Sequence, residues 1–368
     1  MTFLHWNFLT VFFLSILFLR KYNIRFYRES FLILIISQFI LFHGLRHYSV
    51  GVDSVRYYQR FLQAANIDSF KEIFSLHRFE PLYTLLEGTI GIFTDNYTIF
   101  FLGTSLLIFI PVGIFIYKYS NNYFMSIFLF IVLGYFDFSM NVVRQSIAMS
   151  ISLIGYKYAK EKKFLKFLLI VLIASLFHYS AVVIFPIYFL TNLKPRREYI
   201  YSIGILLVAL TAFNNQIAQF IHSFYYKYVV TTYVPDHDIT GSIGMTGIFM
   251  LAIIILGYLI QNPLSRNVDQ KSRGLFYIIV TSFLLHSLST YSYMFKRLSM
   301  YYLIYMIIYI PEILDSKCAV SSPVDIEKVR VYQRIFYYGL ILSFSAYYIL
   351  LIIDDPNGIL PYLTFYTQ

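Results

Sequence analysis

The sequence predicts an all-α fold: a polytopic membrane helix bundle with about twelve spans, between about 11 and 13. Three observations carry that expectation. Only 13% of the 368 residues are charged, against about 25% in a soluble domain. The mean hydropathy is +0.65, and the apolar residues gather in stretches close to the roughly 20 residues that cross a bilayer. Between those stretches, Lys and Arg concentrate in alternate connections, as the positive-inside rule requires. Residues 1–368 are expected to form one domain, because membrane bundles do not divide by length as soluble chains do.

The expected spans cover 3–19, 30–47, 97–117, 123–138, 141–158, 164–177, 179–193, 199–213, 243–260, 274–290, 296–313 and 335–353. Several are short, which predicts broken or thinned spans. The stretch 164–193 is too long for one helix and divides near Phe177 and His178. The run at 8–19 has basic residues after it rather than before it, so it reads as an uncleaved first span. Residues 81–93 are apolar over only half a span and predict a re-entrant or interfacial helix. Residues 48–96 and 214–242 are expected as loops on the outer side.

Charge sets the orientation. The loops 20–29, 118–122, 157–166, 194–198, 261–273 and 314–334 hold most of the 29 Lys and Arg, which makes them cytoplasmic and puts both termini outside. The net charge of +10 therefore reflects topology and argues against a nucleic-acid partner. The single Cys318 excludes an intramolecular disulfide and any cysteine metal site. His43 and His47 have the i, i+4 spacing of a metal pair but lack an evident third ligand, so no metal is expected.

The basic residues left on the outer side need another reason. Arg46 ends the second expected span beside His43 and His47; it is either a snorkelling anchor or part of an anion site. Asp53 follows Gly51. It is placed to cap a helix over 54–64 with an apolar stripe of Val55, Tyr58 and Leu62, or to act as a base. Arg78 and Glu80 precede Pro81, as an exposed ion pair or as a functional carboxylate with its arginine. Arg144 lies about a turn inside an apolar span. That is costly, and it is explained by a partner such as Asp137 or by a site. His178 sits at the break in 164–193, as a cap or a site residue. Arg297, beside Lys296, lies near the outer end of a span. Arginines bind phosphate in forked geometry. Arg46, Arg78, Arg144 and Arg297 together suit a lipid-linked pyrophosphate, and Asp53, Glu80 and His178 nearby suit general-base chemistry on a sugar hydroxyl.

Six stretches, "LRHYSVGVDSVRYYQRF", "RFEPLYTLL", "NVVRQSIAMSI", "FHYSAVVIFPIYFL", "KRLSMYYLIYMIIYIPEI" and "GILPYLTFY", resemble the EpsG-like, Wzy-type polysaccharide polymerases in order and spacing. The resemblance runs from about residue 40 to the tail of the chain. Ser54 departs from it, standing where the family pattern has Thr. What the resemblance implies is a GT-C-like enzyme of the bacterial inner membrane with its active site facing the periplasm. It would transfer a growing glycan from undecaprenyl pyrophosphate to another undecaprenyl-pyrophosphate-linked oligosaccharide, with no cofactor. Its partners would be those lipid-linked donors and acceptors, membrane lipids and a chain-length-regulating co-polymerase. Arg46, Arg78, Arg144 and Arg297 would hold the pyrophosphate. Asp53 or Glu80 would deprotonate the acceptor, His178 would orient it or assist the leaving group, and Tyr57, Tyr58 and Tyr83 would face sugar. The competing readings are an O-antigen ligase-like transferase, a flippase of lipid-linked oligosaccharide and a sugar acyltransferase. The flippase reading expects charges through mid-membrane rather than at one side, and the acyltransferase reading expects its His and Arg at the cytoplasmic face.

Overall fold

The computed structural model describes residues 25–67, 80–193, 216, 244–261, 270–290, 292–315, 323–355 and 357–366. The expected spans 3–19 and 199–213, the loop 214–242 apart from Gln216, and Arg78 lie outside the described residues. Among the described residues there is no strand, only one isolated bridge between Arg46 and Thr364. The protein is a membrane helix bundle. In chain order the α-helices are α1 (Arg25–Gly44), α2 (Ser54–Ala65), α3 (Pro81–Gly91), α4 (Tyr97–Tyr119), α5 (Tyr123–Val132), α6 (Tyr135–Asn141), α7 (Val143–Lys160), α8 (Phe164–Phe177), α9 (Ile187–Leu190), α10 (Gly244–Gln261), α11 (Gln270–Ser287), α12 (Tyr293–Leu303), α13 (Met306–Asp315) and α14 (Pro323–Asp354).

Local chemistry starts several of these helices. Asn96 accepts from the Thr98 amide at 2.9 Å and Asn122 from the Met125 amide at 3.0 Å. Each is a polar side chain set just before an apolar run, where the first helical N–H groups lack partners. The breaks are equally local. Gly134, at φ 78°, separates α5 from α6, and the pair bends by 49°. α12 and α13 bend by 47° across Ile304 and Tyr305. His178 is extended, at φ −160° and ψ 118°. It divides the apolar stretch where the sequence predicts, and a 3-10 helix, Tyr179–Ile184, follows.

Such breaks explain why the expected number of spans does not emerge from helix length. Among the described residues, three helices are long and apolar enough to cross a membrane: Arg25–Gly44, Tyr97–Tyr119 and Arg334–Asp354. Counting each bent pair as one span gives up to five. The segments Phe164–Phe177, Tyr179–Leu190 and Gly244–Ile260 are apolar but shorter.

Two clusters mark the ends of the bundle. At one end Arg25 meets Glu29 and Tyr117, and Lys271 and Asn121 meet Glu312. At the other lie the ends of α1, α6 and α8 and the starts of α4, α7 and α12. α3 belongs to this second end. It has 11 residues, about 16 Å of helix, and the chain after it starts α4 at Tyr97 against Tyr48 and Tyr58. α3 therefore does not cross.

α2 corrects one expectation. Its buried face is Ser54, Tyr57, Phe61 and Ala64, rather than Val55, Tyr58 and Leu62. Both faces carry apolar residues at helical spacing. The choice is made by tertiary packing: Phe61 stacks on Phe100 of α4 with centroids 4.6 Å apart and planes at 8°. Val55 is left 37% exposed.

The turn between α1 and α2 is tied to the tail. The His47 and Gly51 amides donate to Leu363 and Gly358 carbonyls at 2.9 Å, and the Phe365 amide to Leu45 at 3.0 Å. Gly51 turns the chain at φ 98°, and a side chain there would meet Ser54 and Asn141 at 3.0 and 3.1 Å. Arg46 is the pin. It is fully buried, its guanidinium donates to the His43 and Met140 carbonyls, and its Cζ lies 4.1 Å from the Phe101 ring centroid. Removing it strands buried acceptors, each worth about 1.5–3 kcal/mol when the donor is charged. Arg46→Ala is expected to destabilise the purified protein by about 3 kcal/mol; a thermal midpoint in detergent equal to wild type would contradict this placement.

Candidate active site

Glu80 occupies the position before α3, with Pro81 as the first helical residue. Pro at that position needs no amide partner, and the Glu80 side chain makes no cap hydrogen bond. It turns away from its own helix instead. Arg144 Nη1, from the first turn of α7, donates to Oε2 at 2.7 Å. The ring Nδ1 of His178, from the break after α8, lies 2.7 Å from Oε1. Both carboxylate oxygens are thereby engaged, and Glu80 is 3% exposed. Burial pushes its proton affinity up, but the His178 hydrogen bond and the Arg144 charge outweigh it and hold the carboxyl at about 2.

The same geometry fixes the state of His178. Burial is the largest influence on the imidazole and lowers its proton affinity below the usual range, against the pull of Glu80. The ring is therefore neutral near pH 7. With Nδ1–H given to the carboxylate, Nε2 carries the lone pair. A carboxylate, an oriented imidazole and a free ring nitrogen form a general-base arrangement.

A second arginine completes the cluster. Arg297 of α12 donates from Nε to Gln145 Oε1 at 3.1 Å, and Gln145 Nε2 donates to the Arg297 carbonyl at 2.7 Å. The adjacent Arg144 and Gln145 thus point to two different partners. Arg297 lies close enough to His178 and Tyr301 to act on both electrostatically. Unlike Arg144, it has no carboxylate within ion-pair distance among the described residues. Ser180 and Tyr301 share a hydrogen bond at 3.0 Å, tying the segment after His178 to α12. Tyr57 of α2 lies close enough to Arg144 to act on it electrostatically.

The other residues singled out in the sequence are placed differently. Arg46 is held by backbone carbonyls and the tail, away from any open space. Both ring nitrogens of His43 are engaged, by Ser139 O at 3.1 Å and Arg46 at 2.9 Å, which leaves neither for a metal pair with His47. Asp53 stands at the start of α2 without a side-chain cap bond, in a 3.5 Å pair with Arg56 whose side chains are 41% and 68% exposed. Such a pair is worth little. Asp137 pairs with Tyr348 rather than Arg144. Tyr58 stacks on Tyr48, with centroids 4.3 Å apart. Tyr83 is fully buried rather than facing a groove.

Three contributors escaped the sequence reading: Gln145, the Ser180–Tyr301 contact, and a buried pair between Arg60 and Glu87 at 3.0 Å. Only Glu87 had a local signal, as a charged residue seven positions after Glu80 on the face of one helix.

The ion pair sets an acid limit. A carboxyl depressed from 4.5 to about 2 on folding contributes stability that is present in full above 4.5 and lost as pH falls toward 2. The thermal stability difference between wild type and Glu80→Gln is expected to hold from about pH 8 to about pH 5 and to narrow below about 4.5. A difference that is flat across that acid range would refute the charged-pair description.

A family model described as the EpsG family matches residues 28–364. No curated protein and no solved structure matches the chain. The match takes in Glu80, Arg144, His178 and Arg297 together with the tail that orders the first turn. The chain belongs to the EpsG family, a family of Wzy-like polysaccharide polymerases.

Proposed function

We propose that this protein polymerises surface polysaccharide by moving a growing glycan from undecaprenyl pyrophosphate to the non-reducing end of another lipid-linked oligosaccharide. The single observation that carries the reading is Arg297. It bonds Gln145, the residue after Arg144, and acts electrostatically on His178, and no carboxylate pairs with it among the described residues. A cation left unneutralised next to an oriented base is what a departing pyrophosphate requires.

The transfer assigns one role to each group. His178 Nε2 takes the proton of the acceptor hydroxyl while the hydroxyl oxygen attacks the anomeric carbon of the donor sugar. The bond from that carbon to the pyrophosphate oxygen breaks, and undecaprenyl pyrophosphate leaves with the electron pair. Arg297 and Arg144 hold the pyrophosphate as its charge develops. Glu80 keeps His178 in the reactive tautomer, because both of its own oxygens are occupied and it is not free to act as the base. A single displacement inverts the anomeric centre. Arg46 is a scaffold residue in this scheme.

The positive-inside rule supports a periplasmic site in the bacterial inner membrane, because the described basic residues Arg25, Lys118, Lys160 and Lys271 sit on connections at the helix ends opposite those that carry Glu80, Arg144 and His178. O-antigen, capsule and exopolysaccharide repeat units share this chemistry.

The test is extension of synthetic undecaprenyl-pyrophosphate-linked repeat units by the purified protein. Wild type is expected to make a ladder of products, and Arg297→Ala and His178→Ala each to lose about 100-fold in rate. A full ladder from Arg297→Ala would sink the phosphate-binding role. The rate is expected to fall as pH drops below the ordinary imidazole value of 6.5, with a midpoint under it, because protonation removes the base. A profile flat through that range would remove His178 from the chemistry.

A further inference from the structure

A cavity of about 30 Å³ lies where the break before α6, the last turn of α14 and the tail meet. Gly134, Asp137, Ile352, Asp355 and Asn357 help to line it, and no lysine, arginine or histidine among the described residues does. Asp137 is 7% exposed, and its Oδ1 has no hydrogen-bond partner. Tyr348 of α14 pairs with the same side chain. Asp355 is only partly buried and lies close enough to Asp137 to act on it electrostatically. Its two carboxylate oxygens accept from the Ile359 and Leu360 amides, each at 2.9 Å.

A buried polar oxygen without a partner is costly. A proton does not satisfy it. On Oδ1 the proton makes a donor with no acceptor, and on the other oxygen it leaves Oδ1 as it was. A water would bond Oδ1 but leave two neighbouring acids without a counter-charge. A cation answers both needs. Further oxygens are at hand in the last turn of α14, because the final carbonyls of a helix lack intrahelical donors and carry partial negative charge. The Leu351 carbonyl accepts from the Asp355 amide at 3.1 Å, but the N–H that would serve Ile352 belongs to residue 356, a proline that has none. Each Asp355 oxygen also keeps a lone pair beyond its amide bond.

The donors are all oxygen, which selects a hard cation. Two acids favour a divalent ion over sodium. Magnesium keeps several waters, and about 30 Å³ has room for little beyond the ion itself. Calcium accepts irregular sets of carboxylates and carbonyls. No third acidic or histidine side chain joins the pair among the described residues, so backbone oxygens complete the shell.

We propose that Asp137 and Asp355, with backbone oxygens from the end of α14, bind a calcium ion that fastens the tail to α6. The Asn357 carbonyl, beside the cavity, accepts from the Val52 amide at 3.2 Å and from Asn141 Nδ2 at 2.9 Å. The ion therefore steadies the segment that orders the first turn. This role is independent of the transfer chemistry proposed above.

The experiment is thermal unfolding and calorimetric titration of the purified full-length protein in detergent micelles, after removal of bound metal with EGTA. Calcium chloride at about 10 mM is expected to raise the wild-type midpoint by about 2 °C, with half of the shift reached near about 1 mM. Asp137→Asn and Asp355→Asn are each expected to abolish the shift. Sodium chloride and magnesium chloride at the same ionic strength are expected to give none. The proposal is overturned if wild type shows no shift, if sodium or magnesium reproduces it, or if folded Asp137→Asn or Asp355→Asn keeps it in full. If Asp137→Asn does not fold, Asp355→Asn, at the more exposed position, decides alone. A protein that binds calcium in this way but extends no glycan would remove the proposed function and leave this proposal standing.

Discussion

A charged carboxylate that is 3% exposed is stable only if its environment replaces water, and Glu80 obtains that replacement from two separate parts of the bundle. Arg144 supplies the counter-charge from the first turn of α7. His178 supplies a hydrogen bond from the break after α8. The rest of the site follows from this arrangement. Arg144 is costly at its depth without Glu80, His178 has a defined tautomer because of Glu80, and the extended backbone at 178 exists where that hydrogen bond is made. Burial makes the interaction strong, and it would make either partner costly if left alone.

The sequence exposes the kinds of residue in the site far better than their pairing. "RFEP", "VRQS" and "FHYS" were each visible as polar groups beside apolar segments, and Glu80, Arg144, His178 and Arg297 do converge. The partners are 64, 98 and 152 residues apart, and a lone sequence carries no signal for such distances. Proximity in sequence pairs Glu80 with its neighbour Arg78 and Arg144 with Asp137, whereas the fold pairs Glu80 with Arg144. Periodicity also misled at α2, where two faces of similar apolarity compete and the Phe61–Phe100 stack decides between them.

Arg46 shows the same limit from the other direction. Its pattern, an arginine at the outer end of an apolar span, is shared by Arg297. The difference is that residues 357–366 close over Arg46, which is fully buried, whereas Arg297 is only partly buried. Arg46 therefore spends donors on the His43 and Met140 carbonyls, whereas Arg297 donates to the Gln145 side chain. Helix breaks were legible where chemistry marked them, at His178, but length alone did not convert apolar stretches into spans.

The latch over Arg46 also has a consequence for how the protein is made. The first turn of the site end is built from residues 45–52, and the Tyr362 hydroxyl that reaches back to Phe42 comes 320 positions later. As the chain leaves the ribosome and is inserted, nearly all of it is in the bilayer before that turn can close. Through that interval the Arg46 bridge to Thr364 is unmade, and Leu45, His47 and Gly51 lack their backbone partners. Long-range closures of this kind come late. The site end therefore sets after insertion of the helices rather than alongside it, through an intermediate whose helices are inserted and whose first turn is not yet latched.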